Sequence, residues 1–176
     1  MVSAVTTEIL VLPIGEVEAG VLAHLCAALS ETFGQPCRLG PALPVPDEAF
    51  TPRRRQYAAG AILAQLRPGQ AERVLGVVDL DLYVPELNFV FGLADSAGRR
   101  AVIALPRLRE RFYGKPDNEA LFLTRAVKEA VHELGHTYGL GHCPDRRCVM
   151  AFSNSLADTD YKGRTFCPRH ERELRR

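Results

Sequence analysis

A mixed α/β fold, with a mostly parallel twisted sheet and an antiparallel edge strand, is predicted by three features of the chain. Strand-like and helix-like segments alternate at its start, three β-rich runs then follow one another, and one long helical segment comes after them. A length of 176 residues suits one domain with a sizeable core, so residues 1–176 are expected to form a single unit.

The elements follow in order. EILVLPIG (8–15) is a short apolar run closed by Pro-Ile-Gly and reads as a strand. Val17, Val21, Leu25 and Leu29 recur at helical spacing before Gly34, which predicts a helix; His24 and Cys26 on it read as packing or solvated positions. Pro41, Pro44 and Pro46 allow at most an irregular edge strand and then a loop. Residues 53–67 place Tyr57, Ala61, Ile62 and Leu66 on one stripe and stop at Pro68-Gly69, predicting a second helix whose Arg53-Arg54-Arg55 start is a solvated face. RVLGVVDLDLYV, ELNFVFGLAD and RRAVIAL read as three strands, separated by Pro85 and by Asp95-Ser96-Ala97-Gly98. A helix capped by Asp117 or Asn118 then runs to Gly139. Beyond Gly139 periodicity fades, and the last 35 or so residues hold too few apolar side chains for a core of their own. Something other than apolar burial must hold that tail together.

Composition excludes more than it assigns. With 22 basic and 21 acidic residues the net charge is +1, so no global field argues for nucleic acid or an anionic membrane. The N-terminus lacks a basic leader, and no stretch approaches the roughly 18 apolar residues of a membrane span, so a cytoplasmic, unanchored monomer is expected. Five cysteines, an odd number without a secretory signal, disfavour a disulfide framework. Three of them, Cys143, Cys148 and Cys167, share the C-terminal third with His132, His136, His142 and His170, a mixture of ligand types that points to metal.

Residues 132–142 read HELGHTYGLGH. Histidines at i and i+4 project two imidazoles from adjacent turns of one helix face. Leu123, Val127, Ala130 and Leu134 form an apolar stripe on the opposite face, so His132 and His136 are expected to point away from the main core. Gly139 can adopt the left-handed conformation that ends the helix and lets the chain bring His142 back as a third ligand. Three imidazoles leave a tetrahedral zinc one open position, and Glu133 can take a proton from the metal-bound water as it attacks a carbonyl. Cys143, Cys148, Cys167 and His170, spaced C-x4-C and then C-x2-H, form a set able to close a structural zinc site and supply the tail's missing cross-link. Arg146, Arg147, Arg164 and Arg169 surround it without the interleaved aromatics of a nucleic-acid finger.

HELGHTYGLGHC, then Cys148-Val149-Met150 and FSNSLADTDYKGRTFC, resembles the archaemetzincins, metalloproteases of the metzincin clan. The likeness extends upstream through VDLDLYVPELNFVFGLAD and GRRAVIALPRL. It implies a metzincin-like fold in which an active-site helix is followed by a small zinc-stapled C-terminal subdomain (140–176, after 1–139). It also implies a catalytic zinc on His132, His136 and His142 with Glu133 as general base, a methionine turn that packs Met150 beneath the histidines, and a second zinc in the tail. An edge strand within residues 86–94 would lie beside the cleft and pair with an extended peptide or protein substrate. The family's structural site usually ends in C-x-x-C where this chain has Cys167-Pro-Arg-His170, which makes the site one charge less negative. Either His170 is the fourth ligand or that ligand lies elsewhere. A zinc peptidase is the leading reading. A zinc amidase or deacylase for small substrates uses the same electrophile, and a zinc-stabilised binding module needs no base at Glu133.

Overall fold

The computed structural model describes residues 6–175. The first five residues of the stretch read for a leader therefore lie outside the described part.

The main sheet holds five strands in the order β2-β1-β5-β8-β7. They are β1 (Thr6–Ile14), β2 (Cys37–Leu39), β5 (Ala71–Val78), β8 (Arg100–Ala104) and β7 (Gly92–Asp95). All neighbours run parallel except β7, which pairs antiparallel with β8 at the sheet's edge. β1, β5 and β8 are almost continuously apolar because both faces are covered. On one face, α1 (Ala19–Phe33) and α3 (Glu119–Thr137) enclose Ile9, Val11, Leu75, Val77 and Ile103. On the other, α2 (Ala59–Gln65) covers Leu10, Leu12, Val74 and Val102.

Helix boundaries follow local chemistry. Gly34 at φ 64° ends α1 in a left-handed turn, and the Asn118 side chain accepts from the Leu121 N–H (3.0 Å) to cap α3. The expected helix over 53–67 is shorter than its stripe: Pro52 to Arg55 form a turn with Arg55 at φ 54°. After it the chain extends into β4 (Gln56–Ala58), which pairs with β3 (Phe50–Thr51) and β6 (Leu82–Tyr83) in a small second sheet. Tyr57 thus belongs to a strand, and only Ala59–Gln65 is helical. Arg54 is not merely solvated either. Its guanidinium donates to Leu87 O (2.9 Å) and Asn88 O (3.2 Å) and stacks over the Tyr83 ring. The strand expected through residues 86–95 forms only at Gly92–Asp95.

One expectation is corrected. Cys26 on α1 and Cys37 on β2 form a disulfide (Cα–Cα 5.4 Å), because the short turn after α1 brings β2 back along the helix. The odd count divides into one disulfide and three free thiols, Cys143, Cys148 and Cys167, all in the tail. Arg125, Lys128, Glu129, His132 and Glu133 on α3 are buried as well. The tail does the covering. It contributes Cys148, Val149, Met150 and Phe166 to the core beside α3, and it carries two short helices, α4 (Leu156–Tyr161) and α5 (Pro168–Leu174). Polar ties fasten α4 to α3: Arg125 Nε and Nη2 each reach Asp160 at 2.7 Å, and Lys128 Nζ donates to Thr159 O at 2.9 Å.

Candidate active site

His132, Glu133 and His136 share one face of α3, and the end of that helix builds the rest. Gly139, at φ 85°, permits a Schellman turn in which Leu140 N bonds Gly135 O (3.1 Å) and Gly139 N bonds His136 O (2.9 Å). The turn carries the Leu140 carbonyl back to His136, whose Nδ1–H donates to it at 2.8 Å. His132 Nδ1–H donates likewise to Val149 O at 2.9 Å. A carbonyl can only accept, so both rings are held in the tautomer that presents a bare Nε2 lone pair.

Those two Nε2 atoms lie 3.1 Å apart, and a ring nitrogen of His142 completes a trio within 4.8 Å. Desolvation is the main cause that holds all three imidazoles below their usual pKa, that of the more exposed His142 included, so they are neutral at pH 7. Two lone pairs facing each other with no proton between them repel; a shared cation turns the repulsion into ligation. The donor set therefore fits a divalent metal with an imidazole preference, and zinc satisfies it with a coordination position to spare.

Met150 is fully buried, and a Cβ on Gly135 would meet its sulfur at 2.5 Å. The methionine thus packs directly on the turn of α3 that separates Glu133 from His136. Glu133 lies across the edge strand: a Cβ on Gly92 would stand 2.5 Å from Glu133 Cγ and 2.7 Å from Val102 O, so only glycine leaves room for the carboxylate there. Burial, reinforced by the charge of Glu129 and opposed by Lys162, pushes the Glu133 pKa up to about 8.

A cleft of about 470 Å³ opens over these groups. Its sides come from residues 84–94 and from Phe152, Ser153 and Asn154 after Met150. The upper loop is fastened from behind, where Gln56 Nε2 donates to Asn88 O (2.9 Å) and to Asp81 Oδ2 (3.0 Å). Asp81 in turn holds Arg107 through two bonds of 2.6 and 2.8 Å, and that guanidinium stacks on Phe89.

The second predicted group also converges. The ligand atoms of Cys143, Cys148, Cys167 and His170 all lie within 4.8 Å of one another. His170 is fully buried, and its Nδ1 faces Cys148 Sγ at 3.5 Å and Cys167 Sγ at 3.8 Å. Its Nε2 points the other way, toward Arg169 Nη2 (2.9 Å) and Glu173 Oε2 (3.8 Å). Desolvation pushes the Cys148 thiol up to about 11.

Residues 45–176 match the sequence profile of Peptidase family M54. The chain belongs to that family. It is therefore a zinc metallopeptidase by membership, and its relatives agree. It is 43% identical over 162 residues to the archaemetzincin of Methanocaldococcus jannaschii, covering 92% of this chain and 89% of that one. It is 45% identical over 175 residues to that of Pyrococcus abyssi, covering 94% and 93%. The crystal structure of archaemetzincin from Archaeoglobus fulgidus, solved with malonate, superposes with a TM-score of 0.85 at 36% identity, over 95% of this chain and 99% of that one. The Methanopyrus kandleri archaemetzincin gives 0.82 at 37% identity, over 97% of each.

Sequence reasoning missed four parts of this M54 site: the carbonyls of Val149 and Leu140, which fix the histidine tautomers, and Glu129 with Lys162. Glu129 could have been found, because it sits four residues before Glu133 on the same helix face. Lys162 lies 29 positions beyond Glu133 in a tail without periodicity, and nothing local marks it.

Proposed function

We propose that this chain hydrolyses peptide bonds with water activated by Glu133, at a zinc held by His132, His136 and His142. One observation carries the reading: three convergent imidazole nitrogens and a buried carboxylate share one open cleft with an edge strand. β7 ends the main sheet, and its residues Gly92, Leu93 and Ala94 line that cleft. An extended peptide can add to such an edge as a further strand, which lays successive amides past Glu133. This open, strand-bordered shape favours a polypeptide over a small amide, which a closed pocket would suit.

Zinc, when bound, supplies a Lewis acid that polarises the scissile carbonyl. The remaining work falls to the chain's own residues. Glu133 takes a proton from the attacking water and returns it to the departing amine. The Val149 and Leu140 carbonyls keep His132 and His136 from rotating. Gly92 keeps the carboxylate beside the strand along which the substrate lies.

The second zinc belongs to Cys143, Cys148, Cys167 and His170, whose Nδ1 faces the sulfurs. It staples residues 140–176 onto residues 1–139 as a small subdomain of one domain. Among the described residues no helix is long and apolar enough to cross a membrane. A monomer in the cytoplasm completes the proposal.

Digestion of a mixed peptide pool by purified protein of known metal content tests the activity. New peptide termini are expected, lost on treatment with a zinc chelator and restored by adding zinc back. A fully zinc-loaded protein that leaves every peptide intact would contradict it.

A further inference from the structure

Glu129 lines the cleft one helical turn before Glu133, yet its side chain is only 3% exposed. Both of its partners fall on one oxygen: the Thr159 hydroxyl donates to Oε1 at 2.9 Å, and Lys162 Nζ lies 3.1 Å from the same atom. Lys162 is 1% exposed. Ser153 lines the same cleft and has a buried Oγ with no hydrogen-bond partner among the described residues. The cleft therefore combines apolar lining residues, Phe89 and Phe91 among them, with polar groups that have unused hydrogen-bonding capacity.

Resting on the peptidase reading, the geometry points to Glu129, its counter-ion Lys162 and Ser153 as the residues that select a substrate side chain with an apolar or aromatic stem and a neutral tip that both donates and accepts, such as tyrosine or glutamine. Charge and solvation decide among the candidates. A lysine or arginine would add a second cation to a buried pair that is already balanced, leaving one charge unpaired. An aspartate or glutamate would meet the carboxylate of Glu129 first, with the ammonium behind it. Leucine or phenylalanine would fill the apolar part but leave Ser153 Oγ and Glu129 Oε2 dry and unbonded. A tyrosine hydroxyl or glutamine amide can donate to Glu129 and accept from Ser153, meeting both needs.

The test uses one peptide framework varied with Tyr, Phe, Gln, Leu, Lys and Asp at each of the two positions flanking the scissile bond. Binding is measured by fluorescence anisotropy on zinc-loaded Glu133→Gln protein, and cleavage on zinc-loaded wild type. At one position Tyr is expected to exceed Phe, and Gln to exceed Leu, by about tenfold in both assays, with Lys and Asp weakest. Ser153→Ala should bring the Tyr-over-Phe ratio to within about twofold. The double variant Glu129→Gln/Lys162→Met, which removes both buried charges together, should do the same. Phe or Leu equal to or ahead of Tyr and Gln at both positions overturns the assignment, as does a tenfold Tyr preference that survives both variants. Peptides cleaved without this preference leave the peptidase standing and the selection refuted. Peptides bound with this preference but never cleaved support the selection and refute the peptidase.

Discussion

Replacing Glu133 by Gln is expected to lower kcat/KM on any peptide substrate by at least about 10³-fold, within the 10²–10⁴ range typical of a positioned general base, while zinc content and melting temperature barely change. Size is conserved by the substitution, and the amide fits against Gly92 where the carboxylate lay. No metal ligand is touched. Burial disfavours the charged carboxylate, so removing its charge should, if anything, stabilise the fold. Steady-state kinetics on a cleaved peptide, with metal quantified in the same sample, provide the check. A Glu133→Gln enzyme with wild-type kcat/KM would remove Glu133 as the base, and one that also lost its zinc would mean that the residue is structural.

Cys148→Ser is expected to cost one zinc per chain and to open the tail to proteases, and Cys167→Ser to act similarly. A structural zinc contributes its binding free energy to folding, on the order of 10 kcal/mol at neutral pH in isolated zinc-finger peptides, which the tail's core residues Cys148, Val149, Met150 and Phe166 offset only in part. The effect should reach the active site by two covalent steps. His142 is joined to Cys143, and Val149, whose carbonyl holds His132, is joined to Cys148. Hydrolysis should therefore fall together with tail order although Glu133 is intact. His170→Ala should show the same pattern more weakly if water can take the imidazole's place. Limited proteolysis and zinc counting on the three variants settle the matter, and a His170→Ala protein with unchanged zinc content and protease resistance would show that the fourth ligand was misassigned.

Much of this architecture is legible in the chain because periodicity and punctuation agree. The apolar runs at 8–15 and 99–105, the stripe on α1 and the Asn118 cap of α3 all rest on local rules that the tertiary structure keeps. The misreadings share a cause. Tyr57 fits a helical stripe, but a positive φ at Arg55 and pairing with β3 and β6 override it, and neither is encoded in spacing. Arg54 looks like a solvated charge because its partners, two carbonyls of a loop more than thirty residues away, are set by the fold. Cys26 and Cys37 are paired by the path of the chain after α1, which counting cannot show. Among the site residues, the metal-type sets are readable because ligation demands particular residue types at particular spacings. The groups that orient them are backbone carbonyls, and any residue can supply those.

The central claim is that one chain holds two zinc ions of different character, an open one on His132, His136 and His142 and a closed one on Cys143, Cys148, Cys167 and His170. Anomalous diffraction from crystals of the purified protein, recorded on both sides of the zinc absorption edge, tests it most directly. Two peaks per chain are expected, one among the three histidine rings beside Glu133 and one bounded by three sulfurs and His170 Nδ1. A single peak, or none between the histidines in protein shown to be zinc-replete, would contradict the account.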